Sequence, residues 1–327
     1  MSKKIIINKL GGPDVLELVD YTLPENPPKD CVRIKQSSVG LNYIDTYFRR
    51  GIYPTPSPLP VCPGLEAAGE IIAVGESVVG FEVGDRVCYA SPPLGAYCEM
   101  RDFPISALLK TPEYITNDEV ASVLLQGMTV EYLFERLYKV KKGEFVLFHA
   151  AAGGVGLIAC QWASAIGCKL IGTVGSEEKA LKAKLSGCDY IINYKTENVV
   201  KTVMEITSGK GVPVVYDGVG KETFEISLNC LSIRGLFVSF GQSSGMVPDV
   251  NLHKTFNPKS LYYTRPTLMH YNNTRDNLEK SSAALFDMIK NNKVKTNLSK
   301  LYDLKDVAKA HSDLESRKTS GSVVLRI

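Results

Sequence analysis

The chain between residues 144 and 266 alternates between short apolar runs and segments with helical periodicity. Six apolar runs are present, the first being EFVLFHA and the last SLYYTRP. Strands that alternate with helices of this length form a parallel sheet whose two faces the helices cover. We therefore predict an α/β fold in which this part of the chain is a doubly wound, six-stranded parallel sheet.

A glycine-rich segment, HAAAGGVG, ends the first predicted strand and begins the helix after it. It matches the dinucleotide fingerprint as Ala151-x-Gly153-x-x-Gly156, with alanine in place of the first glycine. We predict that the backbone of residues Ala152, Gly153, Gly154 and Val155 approaches a pyrophosphate at the helix N-terminus. The alternative is a tight strand-to-helix turn without a ligand, but the position of the motif in a Rossmann-type alternation favours the dinucleotide site.

The end of the second predicted strand, in GTVGSEEKA, indicates which dinucleotide is bound. NAD sites usually carry an acidic residue there, about 20 residues after the turn, for the ribose 2′-hydroxyl. Gly175 and Ser176 stand in its place, Lys179 follows, and Tyr194 ends the third strand, so a 2′-phosphate can be accommodated and NADPH is predicted. Glu177 and its neighbour Glu178 weigh against this unless they face solvent. The alternative for Lys179 is an ordinary surface lysine.

Residues 1–124 show a different pattern, with short strands separated by glycine and proline. Runs such as CVRIKQSSVGLN, EAAGEIIAVGESV and GAYCEM are predicted as strands and indicate a compact, partly open β-barrel or sandwich. The C-terminal tail, from LYDLKDVAKAHSDL onward, predicts one helix and a final strand that returns to this first domain.

Charge and cysteine content exclude several classes of protein. The net charge is only +3, and no basic run is interleaved with aromatic residues, so nucleic-acid binding is not expected. No apolar segment suits a membrane span. The eight cysteines are scattered and form no CxxC pair. We therefore predict reduced thiols and a cytoplasmic protein.

One carboxylate lies in an apolar run, at Glu66 in PGLEAAGEI. Burying a carboxylate lowers the stability of the folded state by roughly several kcal/mol unless the group is paired, protonated or bound to metal. Glu66 is therefore a candidate for a metal ligand, for a contact with substrate, or for a structural hydrogen bond to the backbone.

Several blocks of the chain together resemble one known family. They are GLNYIDTYFRRGIYP, GDRVCYA, VLFHAAAGGVGLIACQWA, VVYDGVG, SFGQSSG, YTRP and AHSDLESRKTSGS. The chain resembles the quinone oxidoreductase (zeta-crystallin-like) branch of the medium-chain dehydrogenase/reductase superfamily over nearly its whole length. The resemblance implies a GroES-like, β-rich catalytic domain at residues 1–124 and 299–327, a Rossmann domain at residues 125–298, an active cleft at their junction, and a homodimer.

The resemblance also bears on metal binding. Zinc-dependent relatives carry a cysteine where this chain has Asn42, and a His-Glu pair where it has Leu65 and Glu66. A catalytic zinc needs about three protein ligands, and leucine cannot supply one. Only Cys88 and Cys98 occur where a structural zinc lobe needs four cysteines. We expect no metal, and we expect Glu66 to be hydrogen-bonded to backbone amides or to an arginine in a structural role.

The segment NYIDTYFRRGIYP is predicted to form the wall against which a flat substrate binds. Asn42 can hydrogen-bond near the nicotinamide or a substrate carbonyl, and Tyr47 and Tyr53 can stack on a ring and donate hydroxyl hydrogen bonds. These three residues are the predicted catalytic residues. The alternative for both tyrosines is packing.

Further cofactor contacts follow from the resemblance alone. The residues concerned are Thr129, Val219, Phe240, Gly241, Gln242, Ser243, Arg265 and, from the tail, Arg317. Two histidines are assigned to the core instead: His149 beside the glycine turn as a strand-end residue, and His311 as packing on an apolar helix face.

The resulting hypothesis is a zinc-independent NADPH:quinone oxidoreductase that transfers a hydride to an already electrophilic ring. An alkenal or enone double-bond reductase with the same fold and cofactor is the first alternative. The second, from a different class, is a zeta-crystallin-like structural or single-stranded RNA-binding protein.

Overall fold

A computed structural model describes residues 1–327, and the chain divides into two compact units. Unit 1 consists of Met1–Met128, Asn272–Lys290 and Thr296–Ile327. Unit 2 consists of Thr129–Tyr271 and Asn291–Lys295.

Unit 1 is built on two β-sheets. Its strands are β1 (Ser2–Ile7), β2 (Leu16–Tyr21), β3 (Cys31–Leu41), β4 (Glu66–Val74), β5 (Arg86–Ala90), β6 (Met100–Pro104), β7 (Leu109–Lys110), β14 (Leu298–Asp303) and β15 (Ser322–Arg326). The first two strands pair with each other, and the larger sheet has the order β14-β15-β3-β4-β5-β7, with β6 also on β3. The last strand, β15, pairs antiparallel with β3, which confirms the predicted return of the tail.

The helices of unit 1 lie around these sheets. They are α1 (Tyr43–Arg49), α2 (Asn117–Glu131), α9 (Arg275–Lys290) and α10 (Val307–Glu315), with 3-10 turns at Pro13–Val15, Ile105–Ala107 and Leu304–Asp306. The last three residues of α2 belong to unit 2, where a π-helical turn, Tyr132–Leu137, continues the helix. The core includes Tyr89 stacked on Phe103, with ring centroids 4.0 Å apart.

Unit 2 is the predicted six-stranded parallel sheet. Its strands are β8 (Phe145–Phe148), β9 (Lys169–Val174), β10 (Tyr190–Asn193), β11 (Val212–Asp217), β12 (Leu231–Ser239) and β13 (Tyr262–Thr264). They have the order β10-β9-β8-β11-β12-β13, and every pair is parallel. The chain order reverses between β8 and β11, and a ligand crevice forms at the strand ends of such a reversal.

Five helices of unit 2 connect its strands, and a sixth, α8, follows the last strand. They are α3 (Gly154–Ile166), α4 (Glu177–Leu185), α5 (Val199–Ile206), α6 (Phe224–Cys230), α7 (Leu252–Phe256) and α8 (Leu268–Tyr271), with a 3-10 turn at Asn257–Lys259. None of the helices in either unit has the length and apolar character that a membrane span needs.

Two details differ from the sequence-based predictions. The segment GAYCEM was predicted as a strand, but β6 begins only at its last residue, Met100, and β14 was not predicted. Leu181 and Leu185 lie on one face of α4, and that face is turned to solvent, since they are 58% and 79% exposed. The buried residue of α4 is Ala183, and residues two positions from it lie on the opposite side of a helix.

Candidate functional site

The glycine turn of unit 2 connects β8 to α3. Ala150 has a positive φ of 56°, and Gly153 caps the helix in an extended conformation. A Cβ atom on Gly156 would lie 2.4 Å from the carbonyl oxygen of Ala150, so α3 can begin this close to β8 only with glycine there. The first-turn amides, including those of Gly154 and Val155, are the groups that a helix leaves open to an anion.

Two small residues, Gly175 and Ser176, follow the end of β9. Gly175 contacts Tyr194, the residue just after β10, because a Cβ atom on Gly175 would be 2.4 Å from the Tyr194 hydroxyl oxygen. Ser176 caps α4, and its Oγ accepts a hydrogen bond from the Lys179 backbone amide at 3.3 Å. Gly175, Ser176, Lys179 and Tyr194, which the sequence singled out, are therefore neighbours at one strand end.

The two acidic residues beside Lys179 have partners of their own. The Glu177 carboxylate accepts a hydrogen bond from Asn193 Nδ2 at 2.9 Å, and both Glu177 and Glu178 are exposed to solvent, as the NADPH prediction requires. Glu178 pairs with Lys182 at 2.8 Å. The hydrogen bond from Lys182, and then the charge of Lys179, lower the pKa of Glu178. Lys179 itself is half-buried.

The loop after β11 is shaped by a fully buried carboxylate. Asp217 Oδ1 accepts hydrogen bonds from the backbone amides of Val219 at 2.7 Å and Gly220 at 3.0 Å. Its other oxygen accepts from the hydroxyl groups of Thr223 and Ser227 at 2.7 and 2.8 Å. Asp217 thus determines the conformation of the predicted cofactor residue Val219.

The loop after β12 packs against the same turn. A Cβ atom on Gly241 would lie 2.6 Å from the Gly218 carbonyl oxygen, and one on Gly218 would lie 3.0 Å from the Phe240 ring. The Arg265 guanidinium donates to the Ser239 carbonyl at 2.6 Å and to Gln242 Oε1 at 3.3 Å. Phe240, Gly241, Gln242 and Arg265 therefore form one cluster, with Ser243 following it along the chain.

His149 is a core residue of unit 2, as its position in the sequence indicated. Its ring nitrogens contact Thr173 Oγ1 at 3.0 Å and Ser227 Oγ at 3.1 Å, and the side chain is 2% exposed. Burial lowers the pKa of His149, with the charge of Asp217 opposing that shift. The histidine therefore supports the β8, β9 and β11 ends through Thr173, Ser227 and Asp217.

The predicted substrate wall in unit 1 is helix α1 and the loop after it. Tyr47 is buried, and its ring meets the half-buried Tyr53 edge-on with centroids 5.2 Å apart. The Tyr47 carbonyl accepts hydrogen bonds from the backbone amides of Ile52 and Tyr53. The two tyrosines are thus held next to each other by both the backbone and the rings.

Asn42 precedes α1 and contacts the carboxylate of Glu66, for which the sequence left three roles open. Its Nδ2 donates to Glu66 Oε2 at 2.6 Å, and Leu125 N donates to Glu66 Oε1 at 2.8 Å. Glu66 is 1% exposed, and burial raises its pKa to about 8 despite both hydrogen bonds. Its partners are a backbone amide and a side-chain amide; the arginine that we also considered is not among them.

His311 was predicted to be a packing residue, and this prediction was incomplete. The ring is fully buried, but Nδ1 contacts Arg49 Nη1 and Nε2 contacts the Tyr97 hydroxyl, both at 3.0 Å. Tyr97 in turn donates to Asp45 at 2.9 Å, and Arg49 pairs with both oxygens of Glu315. His311 therefore links α10 to α1 through a polar network that the apolar face of α10 does not reveal.

The His311 network predicts a pH-dependent stability. Burial, and then the Arg49 charge, lower the pKa of His311 from 6.5 to about 3. Between about pH 6 and pH 4 the unfolded chain binds a proton that the folded ring does not. The folded state therefore loses about 1.4 kcal/mol per pH unit as the pH falls. The test is urea unfolding of the wild type and of His311→Gln at several pH values between about 4 and 6. We expect the unfolding free energy of the variant to change with pH by about 1.4 kcal/mol per pH unit less than that of the wild type. An equal dependence on pH in the two proteins would contradict the prediction.

Two predicted cofactor residues remain, Thr129 and Arg317. Thr129 is buried on α2 as the first residue of unit 2. Arg317 belongs to unit 1, where it is exposed and has a positive φ of 59° just after α10.

The positions that hold zinc in related enzymes are occupied by Asn42 and the buried Leu65 in this chain. Cys88 and Cys98 are both buried free thiols. No group of three or more His, Cys, Asp or Glu side chains is arranged as a metal site.

Sequence reasoning missed three residues that the structure joins to the site. Asp217 stands in VVYDGVG, where an acidic residue at the end of an apolar strand was an available signal. Gln126 and Ser322 carried no local signal. They join the Asn42–Glu66 pair through hydrogen bonds that span 84 and 196 residues of sequence.

Comparison with known proteins identifies both halves of this arrangement. The family model for the alcohol dehydrogenase GroES-like domain matches residues 28–133, and the zinc-binding dehydrogenase model matches residues 154–289. A quinone oxidoreductase of Pseudomonas aeruginosa is 48% identical over 325 residues and 99% of each chain. A 2-haloacrylate reductase of a Burkholderia species is 41% identical over 328 residues, with 98% of this chain and 97% of that protein covered. The crystal structure of Escherichia coli quinone oxidoreductase complexed with NADPH has a TM-score of 0.97 at 47% identity and covers 99% of this chain and 100% of that one.

Proposed function

Because the chain belongs to the quinone oxidoreductase branch of the medium-chain dehydrogenase/reductase superfamily, we propose that it is an NADPH-dependent quinone oxidoreductase. The observation that carries the proposal is the edge of the parallel sheet in unit 2. A glycine turn for a pyrophosphate lies there, and the end of the next strand has Gly175 and Ser176 where an NAD site carries an acid.

The residues of unit 2 fit a dinucleotide at this edge. The turn of Ala152, Gly153, Gly154 and Val155 would hold the pyrophosphate, since a Cβ atom on Gly153 would already approach the Ala150 carbonyl to 3.2 Å. Ser176, Lys179 and Tyr194 would hold the ribose phosphate beside Gly175. The remaining contacts would come from Val219, Phe240, Gly241, Gln242, Ser243 and Arg265, while Thr129 and Arg317 stay predictions from the resemblance.

The reaction needs a reductant and an oriented acceptor, and NADPH supplies the hydride when it is bound. Asn42, Tyr47 and Tyr53 are the proposed catalytic residues. Asn42 would donate a hydrogen bond to a carbonyl oxygen, which stabilises negative charge as it develops there. Tyr47 and Tyr53 would hold the flat acceptor ring and exclude water from it. The chemistry proposed for these residues requires no Lewis acid, because a quinone ring is already electrophilic.

A second candidate activity uses the same residues. The 41%-identical relative is named as a 2-haloacrylate reductase, and an activated carbon–carbon double bond also accepts a hydride at an electrophilic carbon. Orientation by Asn42 and two tyrosines would serve either acceptor. The choice between the two depends on the shape of the acceptor pocket.

One assay tests the proposal and separates the two activities. NADPH oxidation by the purified protein is measured with a quinone, with an enone and with 2-chloroacrylate, and bound metal is measured on the same sample. We expect turnover with the quinone, unchanged activity after treatment with a chelator, and far less than one zinc per chain. Turnover only with the alkenes would establish the second candidate, and a stoichiometric zinc whose removal abolishes activity would overturn the metal-free mechanism.

We also propose that the protein is a cytoplasmic homodimer formed through β13. This strand ends the six-stranded sheet, and its residues Tyr262 and Tyr263 are 57% and 44% exposed. An exposed edge strand has unpaired backbone N–H and C=O groups that can hydrogen-bond to another strand. Pairing with β13 of a second copy across a two-fold axis would satisfy these groups. The cytoplasmic location is supported by eight cysteines that are all free thiols.

Assembly is tested by the mass in solution. By light scattering at micromolar concentration we expect twice the chain mass of 35.8 kDa. Tyr262→Lys should shift the protein toward the monomer, since a lysine on an edge strand opposes pairing. Tyr190→Lys, on β10 at the opposite edge, is the matched control and should remain dimeric. A monomeric wild type would refute the proposal.

A further inference from the structure

Two cysteines of unit 1, Cys62 and Cys98, are brought together by backbone segments that run side by side in opposite directions. The Tyr97 amide donates to the Pro63 carbonyl at 3.0 Å, and the two cysteines flank this pair on the same side. The Cys62 sulfur lies 3.5 Å from the carbonyl oxygen of Tyr97, the residue directly before Cys98. The two thiols are hydrogen-bonded to each other.

Strand β1 holds both of these segments in place. The Ile5 amide donates to the Tyr97 carbonyl at 2.8 Å, and the Ile7 amide donates to the Val61 carbonyl at 2.9 Å. The Cα atoms of a disulfide lie roughly 4.4–6.8 Å apart, and paired residues of neighbouring antiparallel segments lie roughly 4.5–5.5 Å apart. A bond between the two sulfurs is therefore compatible with the backbone as it stands.

A buried guanidinium group lies beside the two thiols. Arg101 is 8% exposed and donates to the Tyr89 hydroxyl at 3.3 Å and to the carbonyls of Pro93 and Leu94 at 3.0 and 3.2 Å. None of these partners is a carboxylate. Burial works against the charge of Arg101, and the groups that raise its pKa are Tyr89 and the two thiols. A buried cation is costly without a negative charge nearby, and ionisation of a thiol supplies one.

The sulfur of Cys98 is the one that packs next to this guanidinium. It lies 3.2 Å from the Gly95 carbonyl oxygen, and a Cβ atom on Gly95 would lie 3.5 Å from the guanidinium carbon of Arg101. Gln36 Nε2 donates to the sulfur at 3.3 Å. The hydrogen bond with Cys62 lowers the pKa of Cys98 against the effect of burial, and the Arg101 charge lowers it further.

A second accessible cysteine of unit 1 provides a comparison. Cys31 is half-buried, as Cys62 is, but burial and the charge of Asp30 raise its pKa. Thiolates, and not thiols, are the nucleophiles that react with oxidants. Exposure alone would therefore favour Cys31 as much as Cys62, whereas the charge around each sulfur favours Cys98.

We propose that Cys62 and Cys98 form a peroxide-sensitive dithiol, in which Cys98 attacks the oxidant and Cys62 completes a disulfide. A sulfenic acid next to a second thiol condenses with it to a disulfide. The oxidant is hydrogen peroxide, which is small enough for a buried sulfur beside a half-buried one. In a compartment that keeps thiols reduced, such a disulfide is transient and redox-sensing. The inference does not rest on the proposed quinone reduction.

The reaction proceeds in two steps. The Cys98 thiolate attacks one oxygen of the peroxide, the O–O bond breaks, and Cys98 sulfenic acid and hydroxide form; the proton that Cys98 lost on ionisation converts the hydroxide to water. The Cys62 sulfur then attacks the Cys98 sulfur, the S–O bond breaks, and the hydroxyl group leaves as water with the Cys62 proton. Two thiols and one peroxide give one disulfide and two waters, with two electrons passing from sulfur to oxygen. A dithiol reductant reverses the oxidation.

Peptide mapping of the full-length protein tests the site. The fully reduced protein is treated with increasing hydrogen peroxide, alkylated, digested and analysed by mass spectrometry. We expect a peptide pair linked through Cys62 and Cys98 at doses that leave Cys31 reduced, and we expect dithiothreitol to remove the link. Oxidation of Cys31 without a link between Cys62 and Cys98 would overturn the proposal.

The roles of the two sulfurs are separated by single substitutions. Cys62→Ser removes the second thiol, so the sulfenic acid of Cys98 should persist and be trapped by dimedone. In Cys98→Ser, Cys62 should stay reduced at the same peroxide dose. Cys31→Ser is the matched control and should form the link as the wild type does. Dimedone on Cys62 in Cys98→Ser, with none on Cys98 in Cys62→Ser, would contradict the assigned roles.

The part played by the buried cation is measured as a rate. The thiolate fraction falls about tenfold for each unit by which the pKa of a thiol rises above the ambient pH. In Arg101→Met we therefore expect the link to form roughly tenfold more slowly than in the wild type, and in Arg101→Lys, which keeps the charge, less slowly. Equal rates in the wild type and in folded Arg101→Met would show that the guanidinium does not activate Cys98. If Arg101→Met does not fold, the cysteine variants decide the proposal.

Discussion

Lys179→Ala should weaken NADPH binding roughly 10- to 150-fold and should hardly change the binding of NADH. A charge-assisted hydrogen bond to a phosphate contributes about 1.5–3 kcal/mol, and about 1.4 kcal/mol is tenfold in affinity. The geometry of unit 2 supports this expectation. Lys179 follows the Ser176 cap of α4, and the Tyr194 hydroxyl lies over Gly175 at the same strand end. NADH lacks the 2′-phosphate that these groups would bind.

The measurement is the ratio of kcat/KM for the two cofactors in the wild type and in the variant. The preference for NADPH should also shrink with added salt, since Lys179 is only half-buried and salt screens accessible charges. Lys184→Ala is a matched control, because Lys184 is exposed on the same helix. Equal use of NADH and NADPH by the wild type would mean that Lys179 is an ordinary surface lysine.

Tyr53→Ala should lower kcat/KM for quinone roughly 5- to 150-fold and leave the affinity for NADPH nearly intact. The proposed role is one stacking contact and one hydrogen bond, whose loss costs roughly 1–3 kcal/mol. Tyr53 is the half-buried partner of the buried Tyr47 ring, and its backbone amide is bound to the Tyr47 carbonyl. Removing Tyr53 therefore removes the more accessible ring of the pair.

Two further variants identify the part of Tyr53 that acts. Tyr53→Phe retains the ring and removes the hydroxyl, so a smaller loss than in Tyr53→Ala would assign most of the effect to stacking. Tyr114→Ala, at an exposed tyrosine of the same unit, should leave the kinetics unchanged. Normal quinone kinetics in Tyr47→Ala combined with Tyr53→Ala would place the acceptor elsewhere.

The fold was predictable where local patterns report on local structure. Alternating apolar and helical segments indicated the parallel sheet, because each element must bury its own apolar face. The apolar spacing did not show which face of a helix packs against the sheet. Leu181 and Leu185 share an apolar spacing, yet Ala183 is the residue that α4 buries.

Some features of the candidate site could likewise be predicted from the sequence, and others could not. The sequence by itself determined the glycine turn and the missing acid at Gly175 and Ser176, because turn geometry and phosphate binding depend on residues a few positions apart. It also showed that Leu65 cannot be a metal ligand. The tertiary structure alone decided what the buried polar groups do. Glu66 meets Asn42 because β3 and β4 pair in one register, and Gln126 and Ser322 join this pair by hydrogen bonds from distant parts of the chain. A buried polar atom must find a partner, but the sequence does not say which one, since the partner is chosen by strand register and packing.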